Sequence, residues 1–450
     1  MRKASAPAPA LAPPSPATRD PLAAPLRLPC GATLRNRLGK AAMTEGLADA
    51  RLRATERHAR LYRAWAEGGA GLSITGNVMI DRHVLERPGN VAIDVTWHAS
   101  VDAEARRRLR AWASAGTADG AHLWMQLSHA GRQAPRYVTR MPVGPSSVRL
   151  ELLGNYARPR ALREDEILDL VGRFAQASAI ARECGFTGVQ VHGAHGYLIS
   201  SFLSPVTNRR TDAWGGSLEN RARLLLETVR GVRSAVGPDF PVSVKLNSDD
   251  FRKGGFSHED CLGVVALLNA ASIDLLEISG GNYEQPRLLG IEGRPGDAVP
   301  VRPSTRVREA YFFEYAATIR PVARMPLMVT GGFRSRLAME AALASGDTDM
   351  IGVARPLCTE PDAPARMLRR EIDALPAHEE GLKLAATGWR SPTSPLLPVK
   401  VVNLVGAMAW YGHQIERLAD GRAPEPGRGV LRSFLGHWRH ELEQAARLRR

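Results

Sequence analysis

Cysteine is scarce in this chain: Cys30, Cys184, Cys261 and Cys358 are far apart among 450 residues, and none belongs to a Cys-x-x-Cys pair. That spacing argues against a disulfide framework or a zinc ribbon, and it suits a reducing compartment. No apolar run approaches the ~18 residues that a membrane span needs. Arg2 and Lys3 are not followed by the unbroken apolar stretch of an export signal. A cytoplasmic protein without a transmembrane segment is therefore the expectation. Lysine is also rare, so the net charge of +14 comes almost entirely from arginine spread along the whole chain. With no dense basic block and no interleaved aromatics, nucleic acid is not an expected partner, although phosphate-bearing cofactors would be drawn to such a surface. No Gly-x-Gly-x-x-Gly follows the first strand, which weighs against a doubly wound dinucleotide fold.

What is present, 44% hydrophobic and 24% charged residues in 450, can bury one large core or two smaller ones. Residues 1–25 are rich in proline and alanine, and each interior proline costs a helix about 3 kcal/mol, so a disordered tail is expected there. From Leu26 a turn at Cys30-Gly31 predicts a small hairpin closing one end of a barrel. Eight short apolar runs then follow, at 38–43, 71–76, 122–127, 188–191, 242–246, 274–279, 327–330 and 350–353. Stretches of helical period lie between them, at 52–67, 100–115, 164–184, 217–236, 258–270, 306–320, 335–345 and 361–374. In the third, Ile167, Leu170, Val171, Phe174, Ala177, Ile180 and Ala181 recur at steps of three or four, which makes one apolar helix face. Eight strands alternating with helices predict an α/β fold, a closed (β/α)8 TIM barrel over residues 26–375 with a helical extension over 376–450.

The chemistry concentrates in residues 188–221, GVQVHGAHGYLISSFLSPVTNRRTDAWGGSLENR. A glycine-bounded, β-branched run reads as a buried parallel strand, and its carboxyl end delivers His192, His195 and Tyr197. In a barrel of this kind that end faces the active site. A lone histidine in a turn is most often a satisfied structural residue. Two of them in a His-x-x-His could share a metal ion, but no cysteine or carboxylate stands at the spacing that closes a zinc site, so no metal is expected.

HGAHGYLISSFLSP followed by NRRTDAWGGSLENRARLLLE resembles the signature stretch of the old yellow enzyme family, FMN-dependent ene-reductases and NADH:flavin oxidoreductases built on a TIM barrel. The resemblance covers roughly residues 26–375. It implies that His192 and His195 hydrogen-bond the carbonyl or nitro oxygen of a substrate stacked on the flavin, and that Tyr197 donates a proton from the other side. Negative charge arriving on that oxygen needs donors, and one such donor contributes about 3 to 4 kcal/mol in a transition state. A tyrosine, with an ordinary pKa of ~10, holds its proton at neutral pH and can deliver it.

The same resemblance places Ala42, Met43 and Thr44 against the flavin, with Thr44 bonded to it in the threonine-type manner of the family; read alone, Thr44 could equally cap a helix. It puts Gly76, Asn77 and Gln126 at the pyrimidine edge. A buried glutamine needs partners, and either a flavin or a protein group can supply them. Lys245 interrupts an apolar strand, where an unpaired ammonium would be costly, so it should face an anion; the family has a basic residue here beside the flavin. Gly331, Gly332 and Phe333, between a strand and a helix start, with Gly352 and Arg355, resemble the family's FMN phosphate clamp. Beyond Thr44 the chain has Glu45-Gly46 where many relatives carry a tyrosine near the substrate. It also lacks the iron-sulfur cysteines and nucleotide domains of longer relatives.

Loops 132–163 and 281–305 would cover the site, with Tyr137, Tyr156 and Tyr283 as candidates to line its mouth. In the last segment, Leu431, Phe434, Leu435, Trp438, Leu442, Ala445 and Leu448 share one helical face, expected to dock on the barrel or on a second subunit, or to lie on a membrane surface. The reading is an FMN oxidoreductase that passes hydride from NADH or NADPH to an activated C=C bond of a small molecule by a ping-pong cycle, with a homo-oligomer allowed. Its rivals are an FMN dehydrogenase of an amine, a metal-dependent hydrolase and a non-catalytic basic binding protein.

Overall fold

A computed structural model describes residues 20–281 and 313–448. The chain opens with a short antiparallel hairpin, β1 (Leu26–Arg27) and β2 (Thr33–Leu34). It continues through β3 (Leu38–Lys40), β4 (Leu72–Ile74), β5 (Val78–Met79), β6 (His122–Ser128), a two-stranded ladder of β7 (Val143–Gly144) and β8 (Arg160–Ala161), then β9 (Gly188–Gly193), β10 (Val242–Asn247), β11 (Leu275–Ser279), β12 (Leu327–Thr330) and β13 (Met350–Val353). Eight of these pair in parallel in the order β4-β3-β13-β12-β11-β10-β9-β6, and β4 pairs again with β6, so the sheet closes into a barrel. All eight expected strands are present, and the (β/α)8 architecture is confirmed.

Alternation along the strands separates two environments. Val189 and Val191, Val244 and Leu246, and Leu276 and Ile278 are buried against the surrounding helices. The opposite set points into the barrel, and there it forms layers. The lowest is apolar: Leu72, Ile74, Trp124, Leu275, Met328 and Met350 pack together with Leu26, Leu28 and Leu34 of the hairpin, which plugs that end. Gly188 makes room for it, since a Cβ there would stand 2.5 Å from the Trp124 indole. Above that layer the interior turns polar, with Gln126, Gln190, Lys245 and Glu277 all buried.

The first 19 residues of the expected tail lie outside the described residues. Its last few are held: Leu22 is fully buried, and Asp20 pairs with Arg336. Of the helical stretch 306–320, Phe313–Ile319 is described and helical, and Tyr283 falls outside. The extension forms two long helices, Leu397–Ala419 and Val430–Leu448. The first rests on the helix Glu56–Glu67, where Arg57 meets Asp420 at 2.6 Å. The second packs on the first, Val430 lying so close to Gly406 that a Cβ would be 2.6 Å away. Among the described residues no helix is long and apolar enough to cross a membrane.

The docking face of the last helix differs from the one its leucines suggest. Val430, Ser433, Glu441 and Ala445 are buried, while Leu431, Leu435 and Leu442 are at least half exposed. The cause is Glu441, whose carboxylate accepts hydrogen bonds from Arg87 Nε at 3.0 Å and from the Tyr137 hydroxyl at 3.0 Å. Pairing that carboxylate requires turning the charged face inward, and the leucine row is left outside. Tyr137 is thereby committed to the helix, its ring 6.1 Å from that of Trp438. We expect Glu441→Ala to weaken docking by about 1–3 kcal/mol, since two donors lose one acceptor. Hydrogen exchange should then speed up in residues 430–448 while the barrel strands keep their protection.

Candidate active site

The loop after β9 brings three functional side chains together. His192, next to last in β9, faces the barrel axis; His195 takes a left-handed conformation (φ 62°), Gly196 follows in the same region (φ 81°), and Tyr197 immediately precedes the helix Leu198–Leu203. The His192 ring lies 5.2 Å from that of His195 and 4.9 Å from that of Tyr197, both edge-on. A non-glycine residue at positive φ must be held by its surroundings. Here the His195 N–H donates to Asn247 Oδ1 at 3.1 Å, and Gln133 Nε2 donates to the His195 carbonyl at 2.9 Å. The turn is thus tied to the end of β10 and to the short 3-10 turn Gly131–Gln133 that follows β6.

Hydrogen bonds also constrain the tautomers. His192 Nδ1 accepts the Ala194 N–H at 3.2 Å, so its proton sits on Nε2. His195 Nε2 is 2.8 Å from the Ser279 hydroxyl; when that hydroxyl donates, Nδ1 carries the proton. Burial, reinforced by the neighbouring ring and Lys245, holds His192 well below the ordinary histidine value. Burial and Lys245 bring His195 down to about 3. At neutral pH both rings are therefore neutral, His192 with its Nε2–H to offer and His195 with its Nδ1–H when Ser279 donates to it. Tyr197 is buried among Met79, Leu85, Ala130 and Ala134.

Beneath this loop runs a polar chain. Gln126 Nε2 donates to Gln190 Oε1 at 2.7 Å, Gln190 Nε2 to Glu277 Oε2 at 2.8 Å, and Thr330 Oγ1 to Glu277 Oε1 at 2.7 Å. Lys245 completes it, its ammonium 2.8 Å from the same Glu277 oxygen. The anion expected opposite Lys245 is present in the protein itself. Gln190, Glu277 and Thr330 went unnoticed in the sequence, although a glutamine and a glutamate inside apolar strands are the same signal that singled out Lys245.

The other predicted residues ring the barrel mouth. Ala42, Met43 and Thr44 leave β3 half-buried in a stretch without helix, so Thr44 caps nothing. Its hydroxyl instead donates to Glu86 Oε2 at 2.9 Å. Asn77 is buried, with its Oδ1 lacking a protein partner. Across the mouth, Thr330 leads into Gly331 (φ 135°) and Gly332 (φ 83°), and Phe333 is buried behind them. Gly352 lies against Thr330, whose hydroxyl oxygen would be 1.9 Å from a Cβ there. The Arg355 side chain is 46% exposed, its guanidinium 3.9 Å from Glu379, which also pairs with Arg334 and accepts from Tyr411 at 2.8 Å. The barrel mouth thus offers an unsatisfied amide oxygen, a half-buried rim and a glycine turn with two arginines. That donor set suits an amide-edged ring system carrying a phosphate.

The family model for NADH:flavin oxidoreductase / NADH oxidase proteins matches residues 21–372. The chain belongs to that family. Within it, the NADH-dependent flavin oxidoreductase iccE of Talaromyces variabilis is 36% identical over 417 residues, 88% of this chain and 98% of that protein. The NADH-dependent flavin oxidoreductase iliE of Neonectria sp. (strain DH2) is 37% identical over 357 residues, 76% of this chain but 46% of that longer protein, so the chain spans under half of it. The old yellow enzyme homologue from Zymomonas mobilis superposes with a TM-score of 0.65 at 27% identity, over 79% of this chain and 94% of that one. Membership in the NADH:flavin oxidoreductase family makes the chain an oxidoreductase of the FMN class, served by a nicotinamide hydride donor. Among the described residues no cluster of three or more His, Cys, Asp or Glu is placed to hold a metal ion.

Proposed function

We propose that this member of the family reduces an activated carbon–carbon double bond, in an enone-type small molecule, with hydride from NADH or NADPH in two successive half-reactions at one site. The observation that carries the proposal is the grouping of His192, His195 and Tyr197, two neutral imidazoles and a phenol within one turn. FMN, when bound, supplies the hydride relay between nicotinamide and alkene. Ala42, Met43, Thr44, Asn77, Gln126 and Lys245 would hold its ring, and Gly331, Gly332, Phe333, Gly352 and Arg355 its phosphate. In this reading residues 26–375 form the FMN-binding barrel and 376–450 its helical extension.

The two imidazole N–H groups orient the substrate carbonyl and stabilise the charge that develops on its oxygen. Because they are neutral, they donate without releasing a proton. Tyr197 places the remaining proton on the α-carbon. Asn247, Ser279 and Gln133 fix the turn, so that the donors need little rearrangement when the substrate arrives.

The direct test is the visible spectrum of the purified protein during anaerobic titration with NADH or NADPH, followed by cyclohexenone. Absorption that bleaches and returns with the enone supports the proposal; return only with oxygen removes the alkene. Phenols bound as phenolates mimic the charged oxygen, and His192→Ala should weaken their binding about 10- to 100-fold, the loss of one hydrogen bond to a charged group. Unchanged affinity in a phenol titration would remove His192 from that role.

A further inference from the structure

Thr44 has a single hydroxyl hydrogen to give, and in the structure it is given to Glu86. Glu86 stands half-buried in the loop that follows β5. Asn90 Nδ2 lies 3.2 Å from the same carboxyl oxygen and 3.4 Å from the Thr44 hydroxyl, which closes a three-membered polar cluster. No salt bridge reaches Glu86 among the described residues; its neighbour Arg87 turns its guanidinium to Glu441 on the last helix. The groups that face Glu86 are therefore Thr44 on the end of β3, Asn90 and Arg87 in its own loop, Glu441 and Tyr156. Burial raises its carboxyl above the ordinary range, opposed by Arg87, Asn90 and Thr44 and helped by Glu441.

We propose that Glu86 is a positioning residue that sets the direction of the hydrogen bond at Thr44, and through it the reduction potential of the flavin bound at the barrel mouth. As a carboxylate, Glu86 accepts the hydrogen bond of the Thr44 hydroxyl, and the threonine presents only lone pairs to the mouth. As a carboxylic acid, having taken a proton from solvent, Glu86 donates to Thr44 Oγ1, and the hydroxyl hydrogen is released toward the mouth. A donor there favours the electron-rich, reduced ring. The inference rests on the FMN part of the reading above and not on the alkene.

The test is the midpoint potential of the FMN-loaded, full-length protein against pH, with no alkene present, for the wild type and Glu86→Gln. Asn90 Oδ1 accepts the Arg87 N–H at 2.8 Å, so Asn90 presents its N–H to residue 86, and a glutamine there keeps its oxygen toward Asn90 and Thr44, accepting at every pH as the carboxylate does. As the pH falls and Glu86 takes its proton, the wild type should rise relative to the variant by about tenfold in the equilibrium constant for reduction, roughly 30 mV for a two-electron couple. In a Thr44→Val background the same Glu86→Gln change should move nothing. Parallel profiles for the wild type and Glu86→Gln would overturn the proposal, and so would an offset that survives Thr44→Val. A protein that takes up no FMN would overturn it together with the proposed function, whereas a normal potential shift without enone turnover would overturn only the latter.

Discussion

Replacing Tyr197 with phenylalanine is expected to leave reduction by NADH or NADPH nearly unchanged and to slow oxidation by the enone between about 10²- and 10⁴-fold, the range a positioned general acid contributes. The substitution removes one oxygen and keeps the ring, so its edge contact with His192 at 4.9 Å and its packing against Met79, Leu85, Ala130 and Ala134 persist. In the proposed reaction the neutral imidazoles would remain in place to bind the substrate oxygen, and what would be lost is the proton for the α-carbon, which that reaction uses only in its second half. Stopped-flow measurement of each half-reaction separates the two. Equal slowing of both would remove the proton-donor role and leave a packing effect.

The second large effect concerns Lys245. Glu277 is fully buried, and three groups serve its carboxylate: Gln190, Thr330 and the Lys245 ammonium. Lys245→Met retains most of the volume and withdraws the only one of these three that carries charge. Breaking a buried pair from one side typically costs about 3–5 kcal/mol, because the remaining charge is left uncompensated. Chemical denaturation should register that loss, and Lys245→Met combined with Glu277→Gln should recover most of it. A single-variant loss below about 1 kcal/mol would mean that the polar chain tolerates a bare carboxylate. The double variant also separates stability from chemistry, since it restores the fold without restoring a cation at the barrel mouth.

These two cases mark what could be read from the chain before its fold. The strand ends carrying His192, Gln126 and Lys245 were legible because strands in a parallel barrel are buried on both faces and stand out as short apolar runs. The glycine-rich turn after β12 was legible from its place in the strand order. Partners were harder. Lys245 signalled an anion, but that the anion is Glu277 follows from the register of β10 against β11, where the two residues are paired directly. The orientation of the last helix misled for a related reason: periodicity weighs leucines, whereas one carboxylate facing Arg87 and Tyr137 decided which side docks. Glu86 carried no signal, since a single glutamate in a loop is ordinarily a solvated charge.

The pairing of β3 with β13 also has a bearing on how the protein is made. It joins the first barrel strand to the last, so the seam can close only after nearly the whole barrel sequence is available. Contacts of such long sequence separation are slow to form. Ala42, Met43 and Thr44 leave one side of that seam, and Gly352 and Arg355 lie on the other. A ligand resting on both sides would bind only the closed barrel and so draw the folding equilibrium toward it by mass action. The supply of such a ligand would then set what fraction of the chains at any moment has its barrel open and its strand edges available to other chains.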